Sequence, residues 1–152
     1  MMSWATSMCL GVFLASASEI PLAESSDMSV QVVGESELRV ARFFSLPHVR
    51  YIGAHTGCSC GFPHVVAESA VEWYEGFFED TAEDQRPKDL ASVQSLFALI
   101  AEQLNTSEEV QIYSVWNGNE EQPSKGIINL AAMQLIPERF FFNEQFVYRV
   151  HK

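Results

Sequence analysis

Short apolar runs alternate with polar breaks along this chain, and two different periods can be read in them. Met8 to Ser16 (Met-Cys-Leu-Gly-Val-Phe-Leu-Ala-Ser) is short and almost wholly apolar, which predicts a buried strand. Ser18 to Asp27 is polar with one proline and reads as a loop. Leu38 to Phe44 and Val49 to Ala54 are rich in strand-forming residues and flank Leu46-Pro47-His48. Their arrangement predicts a hairpin around a proline turn.

The period then lengthens. Val66, Ala70, Trp73, Tyr74 and Phe77 recur at helical spacing, with Glu68, Glu72, Glu75 and Glu79 on another face. This predicts a helix over 65–78. Leu90, Val93, Phe97, Ile100 and Leu104 form one stripe at three- and four-residue steps, the clearest helix in the chain. Pro87 suits its first turn, where a missing N–H leaves nothing unpaired. Asn105 is a natural stop.

Glu109 to Trp116 carries apolar residues on both faces, as a central strand does. Asn117-Gly118 is a turn signal. Gly126 to Ile136 is apolar without a decisive period and receives no assignment. Phe140, Phe142, Phe146, Tyr148 and Val150 alternate, predicting a final strand, or a hairpin turning near Asn143-Glu144. Strands near both ends with helices between them predict an α+β fold. Its core is a mixed, mainly antiparallel sheet with about two helices packed on it.

The length of 152 residues suits one domain, 1–152, with residues 1–7 expected to be a disordered or non-essential N-terminal extension. Apolar residues make up 47% of the chain, enough for a core without disulfide or metal staples. The formal charge is −11, and the nine basic residues are scattered. Nucleic-acid binding rests on clustered cations, so no nucleic-acid partner is expected. An anionic membrane surface is disfavoured for the same reason. A small-molecule or protein partner is left as the expectation.

There are three cysteines, Cys9, Cys58 and Cys60. An odd count with two only one residue apart does not resemble a secreted disulfide framework, so a reducing cytoplasmic setting is expected. The rival is a signal peptide using Met8 to Ala15 and an Ala15-Ser16-Ala17 cleavage site. It lacks the basic residues that precede such runs. No run reaches the ~18 apolar residues of a membrane helix.

One stretch is loaded with chemistry: His55-Thr-Gly-Cys58-Ser-Cys60-Gly-Phe-Pro-His64. His55, Cys58, Cys60 and His64 supply the four ligand atoms a tetrahedral zinc site uses, and Gly57 and Gly61 let a loop fold back. The Cys-x-Cys gap is shorter than the two-to-four-residue gap of common zinc sites, so Cys9 or His48 would have to complete the set. Structurally, the same residues are a glycine-rich loop with packed thiols. The second chemistry is redox: Cys58 and Cys60 would close a tight disulfide ring, with His55 and His64 near enough to depress a thiol pKa.

The third is nucleophilic catalysis by a Cys58 or Cys60 thiolate–imidazole pair. Cys9 offers another version. With translation beginning at Met8 instead of Met1, removal of Met8 would leave Cys9 as an N-terminal nucleophile, and N-terminal-nucleophile amidohydrolases look similar at that one residue.

Met8-Cys-Leu-Gly-Val-Phe-Leu-Ala-Ser together with Gly57-Cys-Ser-Cys-Gly-Phe62 resembles a family of small bacterial proteins of unassigned function. The resemblance covers the first strand, the cysteine loop and the Trp116-Asn-Gly turn. It implies a single domain and a start at Met8 in the relatives, and it brings no activity or substrate.

Other features are blander. Glu72, Glu75, Glu79, Asp80, Glu83 and Asp84 read as a solvated acidic surface rather than a glycosidase pair. Trp116-Asn-Gly-Asn-Glu-Glu121 would suit a sugar or a cation, but a turn explains it with less. Two functional classes lead: a ligand- or metal-binding role centred on His55–His64, with zinc the fitting metal, and a thiol enzyme using Cys58, Cys60 or Cys9. An interaction module with packed cysteines is the third.

Overall fold

The computed structural model describes residues 10–65 and 84–152. β1 (Leu10–Ser16) is buried along its whole length and lies inside a seven-stranded sheet. It pairs antiparallel with β4 (His48–Ala54) on one side and β6 (Glu109–Trp116) on the other. Outward from β4 come β3 (Met28–Gln31) and β2 (Ala23–Glu24). Outward from β6 come β9 (Phe146–His151) and β7 (Gly126–Ala131). Every pairing is antiparallel except β7 on β9. β5 (His64–Val65) and β8 (Phe142–Asn143) form a separate parallel pair. The fold is therefore α+β with a mixed, mainly antiparallel sheet.

α1 (Arg86–Gln103) covers one face of the sheet. Val93, Leu96 and Ile100, with Leu104 just beyond, share a core with Val12, Leu14, Ile52 and Ile112. Burial of each such side chain is worth about 1.5–3 kcal/mol. The buried Gln103 accepts a hydrogen bond from the buried Ser16 hydroxyl at 2.9 Å, tying helix to central strand.

The other face is covered by a 3-10 helix, Glu35–Phe43. Val40, three residues before Phe43, is fully buried, and the Phe43 ring stacks on Tyr113 at 4.5 Å. This corrects the expected hairpin over Leu38–Phe44. The apolar side chains that matter recur at a spacing of three, the 3-10 period, while Leu38 is left exposed. Only the second half of that hairpin is a strand, β4.

The Asn117-Gly118 turn is present, with the Asn119 N–H on the Trp116 carbonyl at 3.0 Å and Gly118 at φ +100°. It does not join paired strands, because β9 inserts between β6 and β7. The terminal alternation splits at Glu144-Gln145, one residue from the expected place, and β8 pairs with β5 rather than with β9. The helix expected over 65–78 lies outside the described residues, except for its first residue, Val65, which is part of β5.

Candidate functional site

The cysteine loop sits where two strands of the sheet part. β1 and β4 pair only from Phe13–Tyr51 to Ser16–His48, yet β1 starts at Leu10 and β4 runs on to Ala54. The loop fills the gap between the diverging ends. The Ser59 hydroxyl accepts the Val12 N–H at 2.9 Å and donates to the Ile52 carbonyl at 2.6 Å. It thereby replaces a rung of the sheet. The Cys60 sulfur accepts the Leu10 N–H at 3.3 Å, and the Ser59 N–H donates to the Tyr51 hydroxyl at 3.1 Å.

The loop can turn this tightly because of its glycines. The Gly57 N–H reaches the Ala54 carbonyl at 3.0 Å, and the Ala54 N–H reaches the Cys58 carbonyl at 2.9 Å. That closure holds Gly57 at φ +87°, where a side chain would be strained. At Gly61 the reason is contact. A Cβ there would stand 3.0 Å from His55 Nε2 and 2.9 Å from the Ala54 Cβ.

His55 is turned toward the helix. Its Nε2 lies 2.7 Å from Asp89 Oδ1, and the two side chains are only 10% and 16% exposed. Its backbone N–H donates to the Ser92 hydroxyl at 2.9 Å, which donates in turn to the Asp27 carbonyl at 2.7 Å. Asp89 lies in the first turn of α1, where the helix dipole favours a carboxylate. Asp89 thus fixes the imidazole, while Ser92 ties the His55 backbone and the residue before β3 to α1. Among the described residues, Nδ1 of His55 takes no hydrogen bond.

Beside this pair opens a broad cleft of about 790 Å³ between the β2–β3 hairpin and the turn after β4. Glu24, Ser25, Ser29, Gln31, His55 and Gly57 are among its lining. Its wall mixes apolar Leu22, Ala23 and Val30 with three serine hydroxyls, one amide, one carboxylate and the imidazole residue.

The other candidates separate. His64 places Nδ1 2.8 Å from the Phe62 carbonyl and sets its ring edge-on to Trp116 at 5.2 Å, away from the His55–Asp89 pair. Cys58 is half-buried beside Thr56, with the hydroxyl 3.6 Å from sulfur. Neither Cys58 nor Cys60 takes part in a disulfide. His55, Cys58, Cys60 and His64 are not gathered into a metal-holding group, and no group of three His, Cys, Asp or Glu side chains is gathered anywhere among the described residues. The expected zinc set is dispersed because Asp89 takes one imidazole, a backbone carbonyl takes the other, and a strand N–H takes one thiol. Cys9 lies outside the described residues, and His48 starts β4 with its side chain exposed.

The Trp116–Glu121 turn is held from below. The buried Glu144 carboxylate accepts the Trp116 N–H at 3.0 Å and the Asn119 amide at 3.2 Å, with the Lys125 ammonium 3.9 Å away. The Gly118 N–H donates to the Glu120 carboxylate. Of the acidic stretch, Glu72 to Glu83 lie outside the described residues and Asp84 is exposed.

Sequence reasoning missed Asp89, Ser92 and Ser59. Asp89 and Ser92 are 34 and 37 residues from His55, so nothing local links them. In the sequence Ser59 is only the middle residue of Cys-x-Cys. No family model, curated protein or solved structure matches this chain. No helix among the described residues is long and apolar enough to cross a membrane.

Proposed function

We propose that this protein binds a small polar ligand in the cleft beside the His55–Asp89 pair, with His55 as the group that meets it. The observation carrying this reading is the pair itself: an imidazole fixed at 2.7 Å by a carboxylate, mostly buried, on the wall of a cleft that also presents three serines, Gln31 and Glu24. A carboxylate on one ring nitrogen orients the imidazole and leaves the other nitrogen for a ligand. Glu24 in the wall and the net charge of −11 favour a neutral polyhydroxy compound or an amine over an anion. The same reading keeps the protein in the cytoplasm, where its thiols stay reduced.

The test is a ligand panel of polyols, amines and small acids, read by thermal shift and confirmed by calorimetry. Wild type is expected to be stabilised by one class, with the shift lost in His55→Ala and Asp89→Asn variants that keep wild-type circular dichroism. A panel with no shift on wild type, or an equal shift on both variants, rejects the reading.

A second reading rests on the Leu10 N–H aimed at the Cys60 sulfur. A backbone N–H on the sulfur fixes where the thiol points, and thiol chemistry depends on such placement. On this reading the loop is a thiol-dependent enzyme site with Cys58, Cys60 and Cys9 as its candidates. Alkylation at mildly acidic pH, resolved by peptide mass spectrometry, separates the two. One cysteine labelling much faster than the others supports thiol chemistry, and uniformly slow labelling removes it.

A further inference from the structure

The cleft beside His55 is richer in spare acceptors than in spare donors. Ser25 is spent: its hydroxyl accepts the Asp27 and Met28 N–H groups at 3.3 and 3.2 Å and donates to the Met28 carbonyl at 3.1 Å. Gln31 gives an amide N–H to the Ser29 hydroxyl at 2.8 Å and keeps its Oε1. The Asp89 carboxylate can only accept, so the 2.7 Å contact places a proton on His55 Nε2 and, in the neutral ring, a lone pair on Nδ1. Glu24 is exposed in β2, and among the described residues its carboxylate has no ion-pair partner.

The acceptors left over are the Glu24 carboxylate, Gln31 Oε1 and His55 Nδ1. The donors left over are neutral: the Ser26 and Ser29 hydroxyls and the second Gln31 N–H. Among the described residues no Lys or Arg lines the cleft. A hydroxyl needs partners for its lone pairs as well as for its proton, whereas an ammonium group has donors only. Its bonds to a carboxylate are charge-assisted and about twice as strong as neutral ones. Leu22 and Val30 add an apolar wall, which suits methylene groups. At a net charge of −11 the whole chain attracts cations and repels anions in the same sense.

On the reading that this cleft is the ligand site, we infer that its ligand is a small alkylammonium compound bearing a second hydrogen-bond donor. The ammonium group meets Glu24 on the β2–β3 hairpin. The second donor, an amine or a hydroxyl, meets His55 Nδ1 on the wall that follows β4. The alkyl chain between them lies along Leu22 and Val30. A cleft of about 790 Å³ is far more than one ammonium group fills, which favours two separated donors over one.

Calorimetry on the full chain at low salt tests this with four probes: diaminobutane, aminobutanol, butanediol and succinate. All share a four-carbon chain and differ only at its two ends. Both amines are expected to bind, and the diol and the diacid at least about tenfold more weakly, the worth of one charge-assisted hydrogen bond. Added salt should weaken the amines. Glu24→Gln, at an exposed position, should cost the amines about tenfold. Glu138→Gln makes the same change in charge at an exposed position outside the cleft and should cost nothing, which separates local contact from the overall field. A diol or diacid that binds as tightly as the amines, and is lost in His55→Ala, overturns the amine assignment and leaves the cleft as the ligand site. Amine binding that Glu24→Gln alone leaves intact overturns it too, as does binding by none of the four. Amine binding that survives both Glu24→Gln and His55→Ala takes place elsewhere and removes the cleft reading as well.

Discussion

At the scale of single residues, the informative side chain is the one between the cysteines. Ser59 is fully buried and satisfies two backbone groups at once, one on each of two diverging strands. Ser59→Ala strands the Val12 N–H and the Ile52 carbonyl in a buried place, which costs about 1–3 kcal/mol. Denaturant unfolding should show that loss as a lower midpoint at constant slope. A change below about 0.5 kcal/mol, the size of an ordinary surface substitution, would mean that water or a backbone shift replaces the hydroxyl. The Cys-x-Cys spacing was legible as unusual. Its cause was not, because the constraint comes from strands that meet the loop only in three dimensions.

At the scale of elements, the helix was read well and the strand pattern unevenly. The stripe of Leu90, Val93, Phe97, Ile100 and Leu104 located α1. The buried set is slightly rotated, with Ser92, Leu96 and Gln103 inside and Leu90 and Phe97 only half-buried. Phe97 is drawn aside by Phe140, whose ring it meets edge-on at 4.9 Å. Leu96→Ala should therefore cost about 2–5 kcal/mol, as buried leucine truncations do. Leu38→Ala, in the 3-10 helix but exposed, should stay within about 0.5 kcal/mol. Equal losses at the two sites would contradict the assignment of the inner faces. The 3-10 helix was misread because Leu38-Arg-Val40 also alternates. Only the need to cover Tyr113 and Phe13 decides between the two periods.

At the scale of the whole molecule, the acidic surface sets the behaviour toward pH. Glu109 is one such carboxyl. Burial pushes its carboxyl up, but hydrogen bonds from Arg149 and Gln111 and the charges of Arg149 and His151 outweigh this and hold it below 4.5. A depressed carboxyl stabilises the fold above its unfolded value and loses that contribution as pH falls through the folded one. Wild type should therefore lose stability on acidification below about pH 4.5, and Glu109→Gln should show a shallower acid limb. Urea midpoints of both proteins across this range check it. Parallel curves would show that Glu109 does not carry the acid sensitivity.

The sequence by itself determined what periodicity and composition can express. It specified the fully buried first strand, the main helix, the central strand Glu109–Trp116, the α+β class and a net charge of −11. These follow from local patterning, since a strand buried on both faces or an amphipathic helix writes its environment into consecutive residues. Tertiary structure alone decided which strands are neighbours, that β9 enters between β6 and β7, and that the Cys/His loop is divided. His55 goes to Asp89, His64 to Trp116 and Cys60 to the Leu10 N–H. Partners 34 to 52 residues apart leave no trace in local spacing, because the chain between them is free to take any course until the sheet closes.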